Sequence, residues 1–158
     1  MMAADTRLET TLQLLLDWIA AADSKTNTLF GFATAMLGVL VAVAPPASGW
    51  DLTAALLTGV AALLLATSLL LASLAAFPRT AGPEGSLLYF RGIVTRDAAS
   101  YLQAVRDASG GDYLEDLANQ CHRNAEIADT KFLWIQRAMI ALYLSVLPWL
   151  AALYFLYT

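Results

Sequence analysis

Apolar residues fall along this chain in three long runs. Thr26–Trp50, Leu52–Phe77 and Ala138–Thr158 contain no Asp, Glu, Lys or Arg. A helix needs roughly 20 apolar residues to cross a ~30 Å hydrocarbon layer. The second and third runs clear that length. The apolar part of the first, Thr28–Ala44, has 17 residues and lies at the lower end of the working range. All three are therefore read as membrane spans. Pro45-Pro46 and Gly49 stop a helix, so the first two spans form a tight antiparallel hairpin. Ala42-Val43-Ala44 resembles a signal-peptide cleavage site. Proline follows it, however, and the preceding segment is long and acidic rather than short and basic, so cleavage is not expected.

The flanking segments carry helical patterns of their own. Residues 5–25 have no breaker, and Leu8, Leu12, Leu15, Leu16 and Ile19 share one face at 100° per residue. One helix is expected from Asp5 into the first span. Pro78–Gly85 reads as a loop and Ser86–Arg91 as a short apolar run. An amphipathic helix is expected over 92–108, with Val94, Ala98, Tyr101 and Val105 on one side. Ser109-Gly110-Gly111 reads as a turn, and Asp112 as the N-cap of a helix with Glu115 three residues later. Nothing interrupts that helix before Pro148, and its apolar face is Leu114, Leu117, Cys121, Ala125 and Ala128. The expected fold is an all-α integral membrane protein. Three transmembrane helices carry a cytoplasmic helical bundle, built from helix extensions and a helical insertion between spans two and three. The boundaries are 5–26 for the first extension, 27–44, 52–77 and 133–157 for the spans, and 78–132 for the cytoplasmic helical insertion.

Composition agrees. Of 158 residues, 59% are hydrophobic and 14% charged, against ~45–50% and ~25% in soluble domains. A disordered chain, a collagen-like repeat and an ordinary soluble enzyme are excluded. All nine Lys and Arg lie in the N-terminal segment or between residues 79 and 137. Those segments are therefore expected in the cytoplasm, and the 45–51 turn and the C-terminus outside. A multi-pass membrane protein is the natural expectation. The single Cys121 and single His122 cannot supply a disulfide or a zinc site within one chain. Their side chains point about 100° apart on a helix, which leaves His122 as a surface residue. The net charge of −4 gives no case for nucleic-acid binding. There is no Walker loop, GxGxxG, HExxH or Ser/His/Asp set, and the spans hold no ionisable residue for a proton relay. No enzyme activity, metal or cofactor is expected.

Some polar residues lie on apolar faces. Asn124 and Lys131 do so on the last helix, and Asp23 and Thr26 on the first. Burying them costs several kcal/mol unless they find partners. They bond to each other, fix helix register, or surround a polar ligand. Ala22-Asp23-Ser24-Lys25 precedes the first span and Ala128-Asp129-Thr130-Lys131 the third, in the same chain direction. This repeated pattern is a juxtamembrane anchor or the frame of one polar pocket, and a hydroxyl beside an ammonium suits a phosphate. In Ser86-Leu87-Leu88-Tyr89-Phe90-Arg91, the rings pack into the bundle or make an aromatic platform beside a cation, fit for a base and its phosphate.

Taken in order, A-D-S-K before a span, a two-span hairpin, P-R-T…G-S-L-L-Y-F-R-G-I, Tyr101, then D-L-A-N-Q…N-A-E-I-A-D-T-K-F before a last span, the chain resembles the transmembrane effectors of Pycsar, the pyrimidine cyclase system for antiphage resistance. The resemblance runs from about residue 10 to residue 157 and is most specific at Ser86–Phe90 and Ile127–Phe132. Phe132 stands where a tyrosine is more usual, which keeps the ring and loses a hydroxyl. The resemblance implies a partner cyclase that makes cyclic CMP or cyclic UMP on infection. The effector would bind that nucleotide and impair the inner membrane, causing growth arrest or death. In that setting Asn119, Gln120 or Asn124 would read the base. Lys25, Arg91, Arg123 or Lys131 would hold the phosphate, and Tyr89 or Phe90 would stack. Asp23, Thr26 and Ser86 complete the candidate set. Three uncharged helices cannot enclose a wide pore, so a homo-oligomer is expected. Gly31, Ala35, Gly38, Gly59 and Ala66 would allow close helix contacts. Other readings are a holin-like or toxin-like pore that needs no ligand, a membrane subunit docking a partner, and an effector gated by another cyclic mono- or oligonucleotide.

Overall fold

The computed structural model describes residues 2–157. Among them it contains five α-helices and one 3-10 turn, and no strand. The helices are α1 (Met2–Val43), α2 (Leu52–Ala76), α3 (Phe90–Val94), α4 (Ala98–Asp107) and α5 (Gly110–Tyr157), with the 3-10 turn at Ala47–Gly49. Three of them, α1, α2 and α5, are long and apolar enough to cross a membrane. The protein is thus an all-α, multi-pass membrane protein.

The chain divides into two compact units. The apolar unit comprises Ala22–Phe77 and the chain from Lys131 onward, and the polar unit comprises the chain up to Ala21 with Pro78–Thr130. The apolar unit has a core of small and aliphatic side chains. Ala22, Leu29, Ala33 and Leu40 come from α1, Ala61, Leu65, Ala72 and Ala75 from α2, and Ile135, Ala138, Leu142 and Ala152 from α5. Two long-range hydrogen bonds tie these helices: Ser68 Oγ donates to the Ala138 carbonyl and Trp149 Nε1 to the Met36 carbonyl, both at 2.9 Å. Asp51 caps α2 by accepting from Ala54 N at 2.9 Å. Pro148 lies inside α5 without ending it, as membrane helices tolerate.

Buried positions recur in steps of three and four. On α1, Leu15, Ala22, Thr26, Leu29, Ala33 and Leu40 are buried; on α5, Leu117, Cys121, Ala128, Lys131, Ile135, Ala138, Leu142, Ser145 and Ala152 are. A 3.5-residue period is the one that suits coiled-coil-like packing of side chains. The stripe is narrower than the face expected from the sequence. Leu16 is exposed and so is Ala125, while Gln120 is buried.

Two boundaries differ from expectation. The helix expected over 92–108 is two helices, because Asp97 turns back to cap α4. Its Oδ1 accepts from Ala99 N and Ser100 N, both at 2.9 Å, and its Oδ2 accepts from the Ser100 hydroxyl at 2.6 Å. That hydroxyl bond is the main reason the Asp97 carboxyl titrates below its usual range. The last helix starts at Gly110 rather than after a turn. Asp112 is not its N-cap: Ser109 Oγ accepts from Asp112 N at 3.2 Å, and the Asp112 carboxylate accepts from Ser109 N at 2.8 Å. This is a reciprocal capping box with Ser at the cap and Asp at the third helical position. The Ser109 hydroxyl also donates to Asp112 at 2.8 Å and lowers its carboxyl pKa.

Candidate functional site

The polar unit is organised around Ser86. This buried hydroxyl accepts from Leu88 N at 3.1 Å and Tyr89 N at 2.8 Å, which turns the chain from the proline-rich loop into α3. Gln120 of α5 reaches the same oxygen at 3.0 Å through its amide. Asn124, one turn on, donates to the Gln120 carbonyl at 2.9 Å. Asp116 accepts from Leu87 N at 2.8 Å and Leu88 N at 3.2 Å. Tyr101 donates its hydroxyl to the Leu87 carbonyl at 3.0 Å, fastening α4 to the segment. Arg96 donates to the Gly85 carbonyl at 2.9 Å and the Gly92 carbonyl at 2.6 Å. Gly92 is required here, since a Cβ would run into the Ser86 carbonyl. The structure therefore joins three candidates, Ser86, Gln120 and Asn124, in one hydrogen-bonded chain. Asp116, Tyr101 and Arg96 belong to the same hub, and sequence reasoning did not single them out as a set.

Beside the hub lies an open cleft of ≈410 Å³. Its walls are Ala81, Gly82 and Pro83 of the loop and Asn119, His122, Arg123 and Glu126 of α5. The four α5 residues are spaced i, i+3, i+4 and i+7, which places them on one helix face. Arg123 Nε donates to the Ala81 carbonyl at 2.7 Å, and its Nη1 pairs with Glu126 at 2.9 Å. His122 Nδ1 stands 3.7 Å from the same carboxylate. The Tyr89 ring packs behind Gly82, where a Cβ would collide with it. Its hydroxyl is buried and has no partner. Tyr89 and Phe90 are in tilted contact, with ring centroids 4.7 Å apart. Phe90 and Arg91 are exposed.

Two further clefts of the polar unit suit an anion less well. One, of ≈220 Å³, is lined by Glu84, Asp112, Glu115 and Asp116. The other, of ≈300 Å³, lies between α4 and α5 with Tyr101, Val105 and Tyr113, and carries Asp112 and Asp116 without a cation. Tyr113 donates its hydroxyl to Glu9 at 2.9 Å, which with partial burial raises its pKa. Burial likewise raises the Cys121 thiol.

The other four candidates are in the apolar unit. Asp23 and Lys131 form an ion pair with each other, with Lys131 buried and Asp23 half exposed. The two A-D-[ST]-K segments thus contribute the Asp of the first and the Lys of the second to one bond. Thr26 is buried and donates to the Ala22 carbonyl of its own helix at 3.0 Å. The Lys25 ammonium sits over the Phe132 ring, 5.1 Å from its centroid. Among the described residues no cluster of His, Cys, Asp and Glu is arranged to hold a metal.

A family model for the Pycsar effector protein domain, PycTM, matches residues 7–158. The chain belongs to the Pycsar effector family. It is 25% identical over 138 residues to the Pycsar effector protein PtPycTM of Propioniciclava tarda, covering 82% of this chain and 68% of that protein. No solved structure matches it. Family membership makes this Pycsar protein an effector of antiphage defence and links it to a cyclase-generated cyclic-nucleotide signal.

Proposed function

We propose that this effector binds a cyclic pyrimidine mononucleotide, cyclic CMP or cyclic UMP, in its polar unit and then impairs the bacterial inner membrane, arresting or killing the cell. The observation that carries the reading is the cleft beside Gly82, which brings a guanidinium, an imidazole and a side-chain amide to one open surface. A cyclic nucleotide offers one negative charge, a ribose and a base edge. Arg123 supplies charge for the phosphate, the His122 ring a hydrogen-bonding nitrogen, and the Asn119 amide has both donor and acceptor for a pyrimidine edge. Glu126 holds Arg123 in the free protein, so the phosphate takes its place. A ligand group entering past Gly82 would give the buried Tyr89 hydroxyl the partner it lacks, a change favourable in itself. Ser86, Gln120 and Asn124 hold the wall of the cleft in shape.

The distribution of Lys and Arg supports a cytoplasmic polar unit and an external C-terminus. Only 22% of the residues in each apolar window are buried, leaving ample span surface for a homo-oligomer. Because α5 is one helix from Gly110 to Tyr157, a ligand that moves its first half has a path into its second. Binding drives opening only if the ligand prefers the open assembly.

Calorimetry on detergent-purified protein with cyclic CMP, cyclic UMP, cyclic AMP and cyclic dinucleotides tests the reading. A pyrimidine ligand is expected to bind, with affinity about tenfold lower in Arg123→Gln, the loss of one charge-assisted hydrogen bond. Glu126→Gln is expected to bind a few-fold tighter, since the competing carboxylate is gone. Unchanged binding in both variants would place the pocket elsewhere. Killing by expression alone, without a cyclase, would favour a pore that needs no ligand.

A further inference from the structure

The apolar unit contains a forked groove that the nucleotide reading does not use. One branch, ≈460 Å³, runs between α1 and α5 past Leu29, Phe32 and Met36 and against Met139 and Leu142. The other, ≈270 Å³, runs along α5 past Phe132 and Ile135. Both branches are lined by Lys25, Met139 and Tyr143. Among the described residues that line them, Lys25 is the one cation of either branch. It precedes the uncharged run of the first span by a single residue, so it stands at the edge of the hydrocarbon. Lys131 is neutralised by Asp23, whereas among the described residues no carboxylate pairs with Lys25. The Phe132 ring positions its ammonium instead and leaves the charge and its donors unspent. From Lys25 to Met36 the groove follows α1 for about 16 Å at 1.5 Å per residue, close to half of the ~30 Å hydrocarbon layer.

One cation shared by two apolar branches matches a molecule with one anionic head and two chains. We propose that this groove is a binding site for a single anionic phospholipid, its phosphate on the Lys25 ammonium and one acyl chain in each branch. Surrounding lipid is the solvent of these helices, so the occupant is always at hand. The charge selects its headgroup and the groove its chains.

Native mass spectrometry of the full chain in mild detergent, with phosphatidylglycerol or phosphatidylcholine added, tests the site. One phosphatidylglycerol per chain is expected to survive gentle activation, favoured about tenfold over phosphatidylcholine, the scale of one charge-assisted hydrogen bond. Lys25→Gln, at an exposed position, is expected to remove the preference while both lipids still bind. Met139→Trp, in the shared wall, is expected to lower the occupancy of both. A Lys25→Gln protein that keeps its preference for phosphatidylglycerol would overturn the proposal. So would a photo-crosslinker at Met139 that captures a second copy of the chain rather than lipid.

Discussion

The two units are held together by different forces. In the polar unit, polar side chains reach across the sequence to backbone groups: Asp116 to Leu87 and Leu88, Arg96 to Gly85 and Gly92, Tyr101 to Leu87, Arg123 to Ala81. A loop with few apolar residues cannot bury enough surface to order itself, and these bonds do that work. In the apolar unit the long-range polar ties are few, and Ala, Ser and Thr share the buried stripe with Leu and Ile. Lipid tails are as apolar as Leu, so helices in a bilayer gain from close approach rather than from leaving water. The comparison teaches where each unit is fragile. The polar unit depends on individual hydrogen bonds and on room for its backbone, the apolar unit on the fit of small side chains.

The sharpest way to break that contrast is Gly92→Ala. Its Cβ meets the Ser86 carbonyl, and a loss of about 3 kcal/mol is expected, the upper end for forced overpacking. Hydrogen exchange should quicken at polar-unit amides and stay unchanged in α2. Lys131→Ala comes next. It strands the Asp23 carboxylate, and because Asp23 is half exposed the loss should be about 2 kcal/mol, between surface and buried pairs. Thermal unfolding of Lys131→Ala, Asp23→Asn and the double variant would reveal the coupling; additive losses would mean that the pair contributes nothing. Ser109→Ala should cost about 1 kcal/mol as a lost N-cap. Acid should act on the same cap. Asp112 and Asp97 titrate below their usual range in the folded chain. Their contribution is therefore complete above the unfolded carboxylate pKa and fades as pH falls below about 4 through the folded value. Circular dichroism across that range should show fraying that Ser109→Ala reduces. The smallest effect is expected at Gly31, where a Cβ would meet nothing within 4 Å. Gly31→Ala should be neutral or stabilising by up to ~1 kcal/mol. A loss there would show that another copy packs on this face.

The spans are legible because charge is absent from them, and no local override competes with that signal. The 3.5-residue stripe is harder to see. Small residues such as Ala33, Ala138 and Ser145 carry much of it in the spans, and on the helix extensions the wider face expected from the sequence took in Leu16 and Ala125, which are exposed. The break at Asp97 hides in an uninterrupted amphipathic pattern, because the cap depends on one carboxylate turning back on its own backbone. At Ser109-Gly110-Gly111 the glycines suggest a turn, yet the Ser109–Asp112 exchange lets the helix start across them. Asn119 and Arg123 are candidates from sequence and line the cleft. His122 was expected at the surface, and it is exposed there while also lining that cleft. Glu126 shares their helix face, a spacing that was readable from the start. The loop wall at Gly82 was not, because only the fold brings Tyr89 behind it.

The direct measurement is the heat released when cyclic CMP or cyclic UMP is titrated into the detergent-purified protein, compared with Arg123→Gln. Saturable binding of a pyrimidine cyclic nucleotide, weakened about tenfold by that one substitution, is what a sensor cleft beside Gly82 predicts. Equal binding by both proteins, or no heat with either pyrimidine, would contradict it.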